Sequence, residues 1–144
     1  MIAEAILAHA VGDYVIQSDW MAQNKTKRSW PALVHALTYT IPFVLLTQSP
    51  TALGVIAGTH FVIDRWRLAR YVVWLKNFVA PVSVHAGTKP GDPRFVIESF
   101  NPPWRRCTKT GYPDDRPIWL TTWLLFIADN LVHTFINLGA IAWL

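Results

Sequence analysis

A single cysteine among 144 residues, Cys107, leaves no partner for an internal disulfide and no basis for a cysteine-rich zinc site. It reads as an ordinary loop thiol. Charge is also scarce, at 15% of residues against roughly 25% in an average soluble domain. The hydrophobic share, 52%, is close to ordinary, so the information lies in where charge is missing. No formal charge falls between Pro31 and Thr47 or between Thr51 and Ile63, and Asp129 is the only one from Ile118 to Leu144. No Lys or Arg precedes Lys25, which argues against a cleavable secretory leader. The chain also lacks internal repeats, low-complexity tracts and the adjacent His-Asp pair of soluble helical phosphohydrolases.

The charge-free windows approach or exceed the span of about 20 residues that crosses a bilayer. They predict an all-α fold, a four-helix transmembrane bundle forming a single membrane domain over residues 1–144. The spans are expected at about 2–17, 31–48, 51–68 and 118–144, the first carrying Glu4 and Asp13. Between the last two, "RWRLARYVVWLKNFVA" mixes basic and apolar residues as an interfacial helix does. A Pro-rich cytoplasmic loop follows, over residues 77–117, with little regular structure expected and with His85 solvated.

All 13 lysines and arginines fall in the loops 18–30 and 65–117, on one side of such a bundle. The positive-inside rule then makes those loops cytoplasmic and sets both termini outside, in a bacterial inner membrane. Trp20, Trp30, Trp66, Trp74, Trp119 and Trp123 cluster at the same boundary, where indoles prefer to sit. The basic pI is accounted for by topology and anionic lipid, without nucleic acid.

Against this apolar background the ionisable residues stand out. His9 precedes Asp13 by four residues, His60 precedes Asp64 by four, and Asp129 precedes His133 by four. Each pair therefore shares one helix face. The order reverses on the last helix, and so does the helix direction, which levels the three aspartates toward the cytoplasm with the three histidines about 6 Å deeper. His35 can join either layer, and Gln17 lies one turn beyond Asp13. A divalent ion would offset the carboxylates and take neutral imidazoles as ligands. His9, Asp13, His35, His60, Asp64, Asp129 and His133 are thus the expected ligands of one or two ions of Zn, Mn or Fe. Asn130 and Asn137 read as packing contacts.

The stretches "AHAVGDYVIQSDWMAQNK" (residues 8–25), "LVHALTY" and "THFVIDRWR", with the Asp-x-x-x-His of the last helix, resemble domain-of-unknown-function family 3307. That family of small bacterial and phage integral membrane proteins shows His-x-x-Gly-Asp-x-x-x-Gln, a lone His, His-x-x-x-Asp and Asp-Gln-x-x-His. The resemblance covers the four helices but not residues 77–117. It carries over His9, Gly12, Asp13, Gln17, His35, His60, Asp64, Asp129 and His133, while Asn130 stands where the family shows Gln. A looser likeness links the pattern to bacterial membrane-bound metal-dependent hydrolases.

The leading functional expectation is an intramembrane metal site near the cytoplasmic face, serving hydrolysis of a phosphorylated or lipid-like substrate. Asp13, Asp64 and Asp129 are then the candidate catalytic acids and bases, and Gln17, Arg65 and Arg67 the candidate substrate-binding residues. The alternatives are a non-enzymatic membrane protein that binds a partner or modifies a host envelope, and an ion or proton conduit. The sequence leaves enzymatic activity open, along with a homo-oligomer or protein partner.

Overall fold

The computed structural model describes residues 1–80, 82–85, 96–99 and 101–144, with side chains for 1–80 and 101–144. Its contacts group into two compact units, Met1–Leu68 with Asn130–Leu144, and Ala69–Asp129, where the sequence predicts one domain. The long last helix contributes to both.

In the first unit α1 runs Ile2–Ala10 and passes without a break into a π-helical turn, Val11–Ile16. Ser18 caps the short α2 (Asp19–Asn24), its hydroxyl accepting from the Met21 N–H. Helix α3 (Ser29–Thr40) tightens into a 3₁₀ segment, Ile41–Leu45, where Pro42 supplies no N–H to continue the α ladder. Helix α4 (Pro50–Trp66) opens on a Ser49 cap with Pro50 in the first turn, and closes on Arg67 in the left-handed region at φ 53°. Helix α6 (Ile118–Trp143) completes the unit with its C-terminal half. The four expected spans are therefore present as helices, within a few residues of their predicted ends.

Among the described residues, α6 alone is long and apolar enough to cross a membrane as one unbroken helix, with mean hydropathy 1.5 over its best window. The π turn, the Pro42 tightening and the 17-residue length of α4 keep the other three short.

The packing of this unit is inverted relative to a water-soluble bundle. Its buried set includes His9, Asp13, His35, His60, Asp64, His133 and Asn137, while Leu37, Ile41, Leu45, Leu131 and Phe135 are exposed. The apolar core that exists, Ala8, Tyr39, Phe43, Ala52, Ile56 and Ala140, lies beside the polar cluster and uses alanines where helices approach closely. Thr38, Thr40 and Thr59 turn their hydroxyls back onto carbonyls of their own helices at 2.7–3.0 Å, hiding the polar atom.

In the second unit α5 (Ala69–Phe78) is the predicted amphipathic segment, burying Ala69 and Val73 and exposing Tyr71, Val72 and Leu75. Strands β1 (Val82–His85) and β2 (Val96–Ser99) pair antiparallel, Val82 opposite Ser99; the His85 side chain lies outside the described residues. The stretch 101–117 is not a free linker. Trp74 donates to the Pro102 carbonyl at 2.9 Å, Arg70 to that of Thr108 at 3.0 Å and Asn77 to that of Gly111 at 3.1 Å. Cys107 is fully buried there, and burial pushes its thiol pKa up, which keeps it an inert thiol.

Candidate metal centre

Four side chains from three segments of the first unit meet at one point. The π turn delivers Asp13, α3 delivers His35, and α4 delivers His60 and Asp64 one turn apart. His35 Nε2 lies 3.1 Å from Asp13 Oδ1, 2.9 Å from His60 Nε2 and 3.2 Å from Asp64 Oδ2. His60 Nε2 lies 3.5 Å from Asp13 Oδ1 and 3.1 Å from Asp64 Oδ2.

Two neutral imidazoles cannot by themselves satisfy this arrangement by hydrogen bonding. A neutral imidazole has one N–H, yet each Nε2 faces several acceptors, and the two Nε2 atoms face each other. A cation accepting all four lone pairs resolves the conflict. Zinc with nitrogen and oxygen ligands at about 2.0–2.1 Å in a tetrahedron places its donor atoms roughly 3.3–3.4 Å apart. Five of the six edges here are those just given, between 2.9 and 3.5 Å, so the donor set fits a divalent ion in both type and spacing.

The neighbourhood orients these groups. Tyr39, one turn after His35 on α3, is fully buried and stacks its ring on His60 at a centroid distance of 3.6 Å and an interplanar angle of 16°. That stack holds the His60 ring, whose Nδ1 has no hydrogen-bond partner among the described residues, as is also true of His35 Nδ1. The Tyr39 hydroxyl is 2.7 Å from His9 Nδ1 and accepts from Asn137 Nδ2 at 2.6 Å. His9 Nε2 is 2.8 Å from Asn130 Oδ1, which the Tyr14 hydroxyl also reaches. Gly12 is explained by the same tyrosine: a Cβ there would stand 2.5 Å from Tyr39 Cδ2 and 3.0 Å from the Tyr39 carbonyl.

The expected two-layer arrangement is thereby revised. Aspartate and histidine donors interleave at one point, and the seven expected ligands divide. His9 is spoken for by Tyr39 and Asn130, with its Nε2 3.6 Å from Asp13 Oδ2. His133 Nε2 stands 3.4 Å from Asp64 Oδ1, behind the ligand oxygen. Asp129 is half-buried on α6 one turn before His133, in the stretch assigned to the second unit. Asn130 and Asn137 hydrogen-bond the outer residues of the centre, a closer role than simple packing.

The expected substrate-binding residues sit differently from one another. Gln17 is half-buried with Oε1 unpartnered among the described residues. Arg65 is committed to the chain itself, donating from Nη1 to the Thr26 carbonyl at 2.9 Å and from Nε to Ser29 Oγ at 3.3 Å. Arg67 is the exposed left-handed cap of α4. The sequence reading missed Lys25, whose Nζ is 2.8 Å from Asp64 Oδ2 and 3.2 Å from His35 Nε2. It also missed Tyr39, although its spacing of four from His35 continues the same helix face.

No curated protein and no solved structure matches the chain. A family model described as "Protein of unknown function (DUF3307)" matches residues 1–86, which include Asp13, His35, His60 and Asp64 and exclude α6. The match takes in more than half of the chain, which therefore belongs to the DUF3307 family.

Proposed function

We propose that this chain is an integral membrane protein whose polar interior holds one divalent cation through Asp13, His35, His60 and Asp64. The observation that carries this reading is the convergence of four buried donors at ligand-to-ligand spacing, with more acceptors than two neutral imidazoles can serve. Membrane embedding is supported by the apolar α6 and by the inverted packing, with leucines and Phe135 outward and charge inward. The four-span topology, the cytoplasmic placement of the basic loops and the inner-membrane location complete the proposal, on the strength of the Lys and Arg distribution. The mixed imidazole and carboxylate donor set favours zinc over larger oxygen-loving ions. His9 is engaged with Tyr39 and Asn130 and is left out of this ligand set.

A bound ion supplies Lewis acidity, and the finer form of the proposal is hydrolysis of an anionic amphiphile. That chemistry needs a ligand position left open for water or substrate beside the four donors. Metal binding is therefore the property to test. Elemental analysis of detergent-purified protein tests it: about one equivalent of metal is expected, lost in Asp13→Ala and Asp64→Ala. A wild-type protein without metal, its stability indifferent to chelator, would end it. The ion pair from Lys25 to Asp64 favours a second reading, in which the cluster is neutralised internally and serves as helix glue. Under that reading chelator has no effect, while Lys25→Met destabilises.

A further inference from the structure

Lys25 comes from outside the helices that supply the ligands, at the end of α2, where its backbone N–H closes on the Met21 carbonyl at 2.8 Å. The turn that carries it is fixed from below by Arg65, the residue after Asp64, through the Thr26 carbonyl and Ser29 Oγ. From this braced base the side chain, 19% exposed, places Nζ 2.8 Å from Asp64 Oδ2 and 3.2 Å from His35 Nε2, two atoms themselves 3.2 Å apart. The three atoms form a near-equilateral triangle over one edge of the donor set. An ion bonded to both donors would face the ammonium at close range. Two cations cannot share that edge in a site this buried.

We propose that Lys25 is a tethered internal cation that competes with the divalent ion for the Asp64 and His35 edge, so that metal entry expels the ammonium toward solvent. This rests on the metal reading given above. The four-carbon stem can swing while the turn stays pinned by Arg65, so exchange requires no helix movement. The competition lowers the site's affinity for metal. In the loaded protein the displaced ammonium stands at the mouth of the site, a fixed positive charge for an anionic group.

Cobalt(II) is a suitable probe, because its visible absorption reports tetrahedral coordination. Titrated into metal-stripped protein in detergent, it should bind Lys25→Met at least about tenfold more tightly than wild type, a difference of about 1.4 kcal/mol. Lys27→Met, which removes an exposed charge two residues away, should bind as wild type does. In wild type, acetylation of Lys25 by an amine-directed reagent, read by peptide mass, should be slow without cobalt and fast with it. This arm holds even if Lys25→Met fails to fold. Equal or weaker cobalt binding by Lys25→Met, or labelling of Lys25 that cobalt leaves unchanged or slows, overturns the exchange and leaves the metal site standing. Absence of cobalt binding in wild type and variant alike overturns both.

Discussion

The contact between Gly12 and Tyr39 allows a prediction whose sign differs between two glycines of the same unit. In Gly12→Ala the new methyl would meet Tyr39 Cδ2 at 2.5 Å and the Tyr39 carbonyl at 3.0 Å, against about 3.5–4.0 Å for relaxed carbon contacts. Tyr39 has nowhere to retreat: its ring stacks on His60 at 3.6 Å and its hydroxyl is tied to His9 and Asn137. The clash falls on backbone as well as ring, so the cost belongs at the upper end of the overpacking range of about 1–3 kcal/mol. Alanine returns up to about 1 kcal/mol through its better helix propensity, leaving a net loss of about 2 kcal/mol. In Gly54→Ala on α4 the methyl would enter open space, so only the propensity gain of up to about 1 kcal/mol remains. Reversible unfolding in mixed micelles should therefore move the two variants in opposite directions, separated by about 2–3 kcal/mol. If Gly12→Ala is as stable as wild type, or both variants shift the same way, the packing argument fails.

Tyr39→Phe keeps the stack on His60 but leaves His9 Nδ1 and Asn137 Nδ2 without their buried partner; a loss of about 1–3 kcal/mol is expected by the same unfolding assay. The loss should be nearly absent if the hydroxyl is incidental. Asp64→Asn should abolish stoichiometric metal binding, since it removes a charged ligand that also faces His60 and Lys25; retention of a full equivalent by elemental analysis contradicts the assigned ligand set. Metal retention in wild type should fall as pH drops, because protons compete with the ion for two imidazoles and two carboxylates. A flat profile between mildly alkaline and acidic buffers would exclude these donors. Arg65→Ala should loosen the turn at Thr26 and speed proteolysis there while leaving metal content unchanged. Loss of metal would instead give Arg65 a direct part in the centre.

How much of this was legible in the residues can be traced pair by pair. The spacing of His60 and Asp64 is a local property of one helix, so their meeting followed from the 3.6-residue period alone. The convergence of Asp13 and His35 with them needed the helices to be adjacent and correctly rotated, which matching depths suggested without fixing. What depth could not reveal was the wide turn at Val11–Ile16 that carries Asp13. Lys25 was hidden for a different reason. As a loop cation in a basic segment it counted toward topology, and nothing in its local sequence distinguishes a side chain that turns inward. Tyr39 and Asn137, by contrast, extend the faces of His35 and His133 by one more turn and were readable as part of the same stripe. Arg65 reads in the sequence as an anion ligand because it is a cation beside a candidate site, and the carbonyl it serves becomes visible only in the fold.

The six-residue π turn also bears on which changes in chain length the protein can tolerate. Dropping one residue between Tyr14 and Ile16 would let the segment relax into an ordinary helix with its own ladder intact. Because the π turn already absorbs one extra residue, the flanking chain would keep nearly its present bearing. Deleting the outward-facing Val15 should therefore do less harm than deleting one residue inside the unbroken α4, where the helix beyond the cut would rotate by about 100°.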